Sequence, residues 1–266
     1  MTQAATEPDE PAVHGPDFVQ SLERGLAVIR AFDAEHTDRT LSDVARATGL
    51  TRAAARRFLH TLVELGYMRT NGRLFALRPS ILELGYAYLS GLPLPEVAQP
   101  HMENLVAAVH ESSSVSVLDG DHVVYVARVP TRRIMTVSIS VGTRFPAYAT
   151  SMGRVLLSGQ TDDWLDGYLA TVQMRPLTPH TITDAEQLRA EILRVRAQGW
   201  ALVDEELEEG LRSIAAPIRD GEGRTLAALN VSAPASRGAP DMLRDELLPH
   251  LLRAASLIEE DLRGGG

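Results

Sequence analysis

The sequence predicts an α+β protein in two parts, an N-terminal winged helix-turn-helix and a larger C-terminal domain in which a mostly antiparallel sheet is flanked by helices. Residues 40–78 contain two short amphipathic helix patterns around a glycine, followed by an Asn-Gly hairpin. From residue 96 to residue 262, strand and helix patterns alternate between turns rich in Gly and Asp. At 266 residues and 44% hydrophobic content, the chain can form more than one core.

The first helix of the N-terminal module is predicted to begin at Thr40. Asp43 follows three residues later, so the two side chains can form a capping box that satisfies free amides at a helix start. Gly49 ends this helix, as a C-terminal glycine often does, and Thr51 can cap the second helix. At 3.6 residues per turn, one side of the second helix is apolar and consists of Ala54, Ala55, Phe58, Leu59, Leu62 and Leu65.

The opposite side of the second helix carries arginines with almost no opposing charge. Residues 49–80 include six arginines and one glutamate, an imbalance typical of a surface that contacts phosphates. A helix pair around a glycine turn places the start of its second helix in the DNA major groove. The predicted DNA contacts are Thr51, Arg52, Ala53, Arg56, Arg57 and His60 on the helix, with Arg69 and Arg73 on the hairpin.

Asn71-Gly72 predicts the tip of that hairpin, with both residues expected at positive φ. Arg69 and Arg73 flank the tip, where a wing would meet phosphates or a minor groove. The same outline also occurs in protein–protein modules, and charged ridges are usually solvated helix faces. If the arginines on the exposed side of the second helix have no function, the alternative is a protein–protein interaction module without DNA affinity.

The net charge of −9 is unevenly distributed. Residues 1–80 hold ten arginines and ten acidic residues, whereas residues 81–266 hold sixteen arginines and twenty-five acidic residues. The excess of acidic residues therefore lies in the C-terminal part. That part would repel DNA, so contact with DNA would be confined to the N-terminal module. The sequence contains no lysine. Arginine binds phosphate and guanine better than lysine does, because its planar guanidinium can donate two parallel hydrogen bonds.

Two further predicted helices frame the DNA-binding module. Ser21 is expected to cap the first, whose apolar stripe is Leu22, Leu26 and Ile29. The second begins near Pro79 and is apolar on nearly all sides, through Ile81, Leu82, Leu84, Tyr86, Tyr88 and Leu89. We expect a second copy of the chain to bury the apolar surface of this linker helix. The protein would then be a homodimer that binds two DNA half-sites.

The resulting domain boundaries follow composition and breaker residues. Gly91-Leu92-Pro93-Leu94-Pro95 is expected to end the linker helix. The predicted divisions are a disordered tail at 1–17, the winged helix-turn-helix at 18–78, the linker helix at 79–95 and the C-terminal domain at 96–262.

Within the C-terminal domain, turn and capping signals separate the elements. Strands are predicted at Val115–Leu118, Val123–Ala127, Ile134–Ile139, Leu211–Ile218 and Thr225–Val231. Helices are predicted after Thr150 or Ser151, after a Thr183–Glu186 capping box with its end at Gly199, and over Asp241–Leu262.

Composition argues against several function classes. Cysteine is absent, which excludes disulfides and thiolate metal sites and fits a reducing cytoplasm, and no run of about 18 apolar residues predicts a membrane span. The N-terminus lacks the basic start and apolar stretch of a signal peptide, so we expect a cytoplasmic protein. The eight histidines show no metal-ligand spacing and no Gly-x-Ser-x-Gly elbow occurs. We therefore expect no cofactor and no enzyme.

The chain resembles the IclR family of transcription regulators along essentially its full length beyond the tail. The resemblance rests on FVQSLERGLAVIRAFD, GLTRAAARRFLHTLVELGY, PAYATSMGRVLLSG, GWALVDEELEEGLRSIAAPIRD and ALNVSAP. VARVPTRRIMTVSISVGTRFPAYATSMGRVLL is most similar to the branch that governs protocatechuate and β-ketoadipate pathways of aromatic-acid breakdown. This resemblance implies a GAF-like effector-binding domain over residues 96–262, a small carboxylic-acid effector, an operator with palindromic half-sites, and dimers or dimers of dimers. The alternatives are a regulator of an unrelated small-acid pathway and an enzyme acting on a small carboxylic acid.

The resemblance also implies which residues contact the effector. They are Ser151, Met152 and Gly153 at a loop–helix junction, Asp204 and Glu205 in an acidic loop, and Ser213, Asn230 and Ser232 on strands. The family often has Ala-Gly-Lys where this chain has Met152-Gly153-Arg154, and it often has hydroxyl residues at Ala53 and Ala54. A plain structural role is the alternative for the three strand residues.

Overall fold

The computed structural model describes residues 15–33, 35–89, 93–131 and 139–264, with backbone only at residues 86, 87 and 89. The chain divides into two compact units, unit 1 (Met1–Tyr88) and unit 2 (Leu89–Gly266). The predicted tail therefore lies outside the described residues except for residues 15–17.

Unit 1 is a helical module with a small antiparallel sheet in the order β1-β3-β2. Its elements are α1 (Gln20–Arg30), β1 (Asp38–Thr40), α2 (Leu41–Thr48), α3 (Arg52–Glu64), β2 (Met68–Thr70), β3 (Leu74–Leu77), a 3₁₀ turn (Pro79–Leu82) and α4 (Glu83–Leu89). Val28, Val44, Leu59, Met68 and Phe75 form its core. The helix-turn-helix is thus anchored to both α1 and the wing.

Local signals set the ends of α2 and the start of α3 as predicted. The Thr40 side chain accepts from the Asp43 amide, and the Asp43 carboxylate accepts from the Thr40 amide. Gly49 follows α2 with φ of 66°, and the Thr51 hydroxyl accepts from the Ala54 amide at 3.2 Å. Only local chemistry is needed for these caps, which is why the sequence predicts them.

Three details of unit 1 differ from the prediction. Helix α1 starts at Gln20 after Val19, without a side-chain cap, so Ser21 lies inside the helix. Leu65 is exposed rather than on the buried side of α3. Gly72 has φ of 91°, but Asn71 is not at positive φ; its side chain instead accepts from the amides of Arg73 and Leu74. The wing tip is therefore an Asx turn.

Unit 2 is a six-stranded antiparallel sheet, in the order β6-β5-β4-β9-β8-β7, with helices on both faces. Its elements are α5 (Leu94–Val109), β4 (Ser112–Asp119), β5 (His122–Val129), β6 (Arg144–Pro146), α6 (Ser151–Ser158), α7 (Asp162–Thr171), α8 (Ala185–Gln198), β7 (Ala201–Asp204), β8 (Leu211–Arg219), β9 (Thr225–Pro234) and α9 (Pro240–Gly264). Helices α5 and α9 share one core with the sheet. The other face packs against α6, α7 and α8. The fold is therefore α+β, as predicted.

Several boundaries in unit 2 were predicted differently. The cap of α8 is Asp184, which accepts from the Gln187 amide, rather than Thr183. Leu94 and Pro95, assigned to the break after the linker, lie in the first turn of α5, and Leu94 is buried in the core. The predicted strand Ile134–Ile139 falls mostly on 132–138, outside the described residues, and Ile139 itself is not in a strand. The sequence patterns did not single out β6, β7, α5 or α7.

Across the described helices, none combines the length and the hydropathy that a bilayer-spanning segment requires.

Gly153 fixes how closely α6 approaches the preceding turn, because a Cβ built there would lie 2.0 Å from the carbonyl oxygen of Ala147. We expect Gly153→Ala to lower the free energy of unfolding by about 1–3 kcal/mol, the usual cost of overpacking. Gly167→Ala on α7 is the matched control, since a Cβ there meets nothing within 4 Å. That control should be neutral or stabilising by up to about 1 kcal/mol. Urea denaturation measures both, and equal stability of the two variants would contradict the close approach.

Candidate DNA interface and ligand cavity

The start of α3 presents its polar side chains to solvent because its apolar side is anchored in the core. Ala55 and Leu59 are fully buried, and Leu62 is nearly so. The opposite positions are all exposed and comprise Thr51, Arg52, Ala53, Arg56, Arg57 and His60. The structure therefore brings all six helical DNA-contact candidates to one surface.

The arginines of this surface have no carboxylate partner among the described residues. No described carboxylate lies within 4.0 Å of Arg52, Arg56 or Arg57. Arg46 on α2, in contrast, pairs with Asp43 at 3.6 Å. Three unneutralised guanidinium groups on one helix face form a surface suited to phosphates and guanine edges.

The wing carries the other two candidates. Arg73 lies in the Asx turn and Arg69 on β2, where its guanidinium lies 3.9 Å from Asp38. His60 contacts the edge of the Phe75 ring with a centroid distance of 5.7 Å, which connects α3 to β3. His60 is therefore a packing residue as well as a DNA-contact candidate.

In unit 2, a narrow cavity of about 20 Å³ lies between the start of α6 and the sheet. It is lined by Tyr125, Ile139, Ala149, Thr150, Ser151, Met152, Val203, Leu207, Leu211, Ser213, Asn230 and Ser232. A space of this size holds about one water, so a ring-sized ligand requires the walls to move apart.

Five of the eight residues predicted to contact an effector line this cavity. Ser151 and Met152 come from α6, Ser213 from β8, and Asn230 and Ser232 from β9. Strands β8 and β9 bring the last three together because Ser213 lies directly opposite Ser232, and residues 230 and 232 share a sheet face.

The remaining three candidates do not line the cavity. Gly153 packs against Ala147, and its amide donates to the Thr150 hydroxyl at 3.0 Å. Asp204 accepts from Arg212, whereas the Glu205 carboxylate accepts from the Gly210 amide at 2.8 Å and lies 3.7 Å from Arg212. These residues hold the walls in place rather than form their inner surface.

Hydrogen bonds organise the polar part of the cavity wall. The hydroxyls of Ser151 and Ser213 are 2.8 Å apart and so join α6 to β8. The Asn230 amide oxygen accepts from the Ser114 backbone at 3.0 Å, and its nitrogen donates to the Ser232 hydroxyl at 3.0 Å. The wall can therefore offer both donors and acceptors to a ligand.

Apart from Thr150, the rest of the lining is largely apolar, and the sequence did not indicate these residues as ligand contacts. Tyr125 and Val203 project from strands, and Leu207 and Leu211 from the loop and strand that follow β7. Burial raises the pKa of Tyr125 to about 12, so its hydroxyl stays protonated at neutral pH. Alternation along the strands could have flagged Tyr125 and Val203, but it could not show that they face α6.

A buried arginine stands behind the cavity. Arg154 is 2% exposed, and its guanidinium donates to the Glu206 carboxylate at 2.5 Å and to the Tyr148 carbonyl oxygen at 3.3 Å. Glu191 on α8 lies 3.7 Å away. In the family resemblance, Arg154 stands out only because it replaces a lysine. In the structure, the contacts of Arg154 hold α6 against the loop that carries Leu207.

The described residues contain no group of three or more His, Asp and Glu side chains placed to hold a metal ion. The chemistry that the cavity offers is hydrogen bonding and apolar contact.

Comparison with known proteins matches both units. Residues 21–72 match the IclR helix-turn-helix domain, and residues 86–260 match the C-terminal domain of the bacterial transcriptional regulator IclR. The chain is 47% identical over 241 residues to the Pca regulon regulatory protein of Pseudomonas putida, covering 90% of this chain and 83% of that protein.

Solved structures agree with this assignment. A transcriptional regulator from Rhodococcus sp. RHA1 is 61% identical with a TM-score of 0.83, covering 94% of this chain and all of that one. An IclR homolog from Microbacterium hydrocarbonoxydans, crystallised with 4-hydroxybenzoate, is 28% identical with a TM-score of 0.80, covering 92% of this chain and 99% of that one. Because the two family models together span most of the chain, the protein belongs to the IclR family of bacterial transcriptional regulators.

Proposed function

We propose that the protein is a ligand-responsive regulator of aromatic-acid catabolism, whose effector is a small aromatic carboxylic acid bound in the cavity of unit 2. The observation that carries this proposal is the wall of that cavity, where hydrogen-bonding groups lie beside Tyr125, Met152 and Leu207. The 47% identity to a Pca regulon regulatory protein supports the pathway, and the homolog bound to 4-hydroxybenzoate supports the ligand class.

The proposed output is a change in operator binding. Helix α3 would enter the major groove with Arg52 and Arg56 toward base edges, while Arg57, Arg69 and Arg73 contact phosphates. Thr51, Ala53 and His60 complete the proposed contact surface. The three free arginines of α3 and the net neutrality of residues 1–80 support this assignment.

A homodimer is the proposed working unit, because one subunit presents only a small positive surface. Apolar side chains that a second copy could cover are exposed on unit 1, with Leu22 63% exposed on α1 and Leu82 72% exposed next to α4. The other exposed large apolar residues of these two helical segments are Phe18, Val19, Leu26, Leu84 and Tyr88. Two recognition helices would then read half-sites related by the dimer axis.

The proposed mechanism is a two-state coupling. An effector that binds one arrangement of the dimer more tightly shifts the population toward that arrangement. This shift changes how well the two recognition helices match their half-sites and therefore changes operator affinity.

We expect Arg52→Ala and Arg56→Ala each to weaken binding to a specific operator by about 1–3 kcal/mol, because each removes a base contact. Fluorescence anisotropy with the promoter region beside the gene measures the affinity. Arg253→Ala on α9 is the matched control, since it removes the same charge from an exposed site in unit 2. If both α3 variants bind the operator as tightly as this control, α3 does not read DNA.

We expect protocatechuate, 4-hydroxybenzoate or β-ketoadipate to raise the melting temperature of the protein. A ligand that binds only the native state stabilises it by about 2.7 kcal/mol at 100 times its dissociation constant. Differential scanning fluorimetry at millimolar ligand measures the shift. A shift with β-ketoadipate alone would keep the pathway but contradict an aromatic effector, and the absence of a shift with all three would contradict the pathway but not the family. Turnover of any of these acids would favour the enzyme alternative.

A further inference from the structure

A bulge in β5 changes which of its side chains face the cavity. Val115 of β4 lies opposite Ala127, but the next residue, Ser116, lies opposite Tyr125, so Val126 has no partner on β4. Residues three apart in a regular strand face opposite sides of a sheet. The extra residue reverses this, and Tyr125 and Arg128 therefore share one face.

That face is the one that lines the cavity. Arg128 lies directly opposite Ser114, and Ser114 lies directly opposite Asn230, so the three residues form one cross-strand row. Asn230 and Tyr125 both line the cavity. The guanidinium of Arg128 is 3.4 Å from the Ser114 hydroxyl. Arg128 thus lies at the β5 end of this row, and Asn230, which lines the cavity, lies at its β9 end.

Arg128 also has no counter-charge in the part of the chain that the structure describes. It is partly buried, and no carboxylate among the described residues lies within 4.0 Å of it. Burial lowers its pKa, and a guanidinium is otherwise among the most basic groups in a protein. The carboxylates around the cavity are already paired, Glu206 with Arg154 and Asp204 with Arg212.

We infer that Arg128 binds the carboxylate of the effector and so orients the ligand within the cavity. This inference rests on the proposed function. A guanidinium fork pairs with a carboxylate in a bidentate geometry, and a partly buried one gains most from such a partner. The ring would then lie against Tyr125 and Met152. A ring hydroxyl at the far end would reach the hydroxyl pair of Ser151 and Ser213.

The sheet spacing is consistent with a single aromatic ring. Strands β5 and β8 are separated by β4 and β9, hence by about 14 Å at three strand spacings of about 4.8 Å. The long Arg128 side chain and the short Ser213 side chain extend from the two ends of this span. Because the Arg128 guanidinium reaches the Ser114 hydroxyl on β4, it lies nearer to Ser213 than the full span, and an aromatic acid with its carboxylate and hydroxyl at opposite ends matches this arrangement of charge and hydroxyl groups.

The test is isothermal titration calorimetry of the full-length protein with 4-hydroxybenzoate and protocatechuate, and with their neutral amides, 4-hydroxybenzamide and 3,4-dihydroxybenzamide. We expect Arg128→Gln to weaken binding of the acids by at least about tenfold, the effect of losing a hydrogen bond to a charged group. Its affinity for the amides should stay close to that of the wild type. Arg128→Lys should retain part of the acid affinity because it keeps the charge.

Arg144→Gln is the matched control, since Arg144 lies on the exposed edge strand β6 and pairs with Asp119. Unchanged acid affinity in Arg128→Gln would overturn the inference while leaving the proposed function in place. Equal losses for acids and amides would also overturn it, because Arg128 would then only shape the cavity. If the wild type binds neither acid, the proposed function itself fails.

Discussion

The cavity walls depend on the buried guanidinium of Arg154. It holds α6 to the loop after β7 through Glu206, and it lies close to Glu191 on α8. Glu206 in turn accepts from the amide of Ile182 at 3.1 Å. Removing one partner of such a buried pair leaves an uncompensated charge and typically costs about 3–5 kcal/mol. Since Met152 and Leu207 line the cavity from the two joined segments, this interaction determines where the walls stand.

The arginines with a proposed structural role and those with a proposed ligand-binding role differ in their carboxylate contacts. Arg154 and Arg212 in unit 2 are partly or fully buried against carboxylates. Arg52, Arg56 and Arg57 are exposed without such partners, on the surface proposed to meet DNA. Arg128 is partly buried without one, beside the cavity. These four arginines lie where an anionic ligand is proposed, a phosphate in one unit and a carboxylate in the other.

Features that depend on a few neighbouring residues could be predicted from the sequence. The Thr40–Asp43 capping box, the Thr51 cap and the glycine at 49 need only local hydrogen bonds and a positive φ. The same reasoning was less reliable where two adjacent residues compete, since Asp184 rather than Thr183 caps α8. At Asn71, the side chain satisfied the turn amides, so the backbone did not need positive φ.

Features that depend on the whole sheet could not be predicted in this way. The family resemblance implies Ser151, Ser213 and Asn230, but strand register brings Ser213 and Asn230 together, and packing of α6 on the sheet brings Ser151 to Ser213. The same resemblance implies Asp204 and Glu205, yet both pair with Arg212 and neither lines the cavity. The bulge at Val126 is set by pairing between β4 and β5, so alternation along β5 alone would place Arg128 on the wrong face.

In the proposed mechanism, ligand binding in the cavity of unit 2 controls the DNA affinity of unit 1. This mechanism is tested most directly by titrating operator DNA into the full-length protein without effector and with saturating 4-hydroxybenzoate. We expect a change of at least about fivefold in operator affinity, and the same factor in effector affinity when DNA is bound. Operator affinity that stays the same while the acid is demonstrably bound would contradict it.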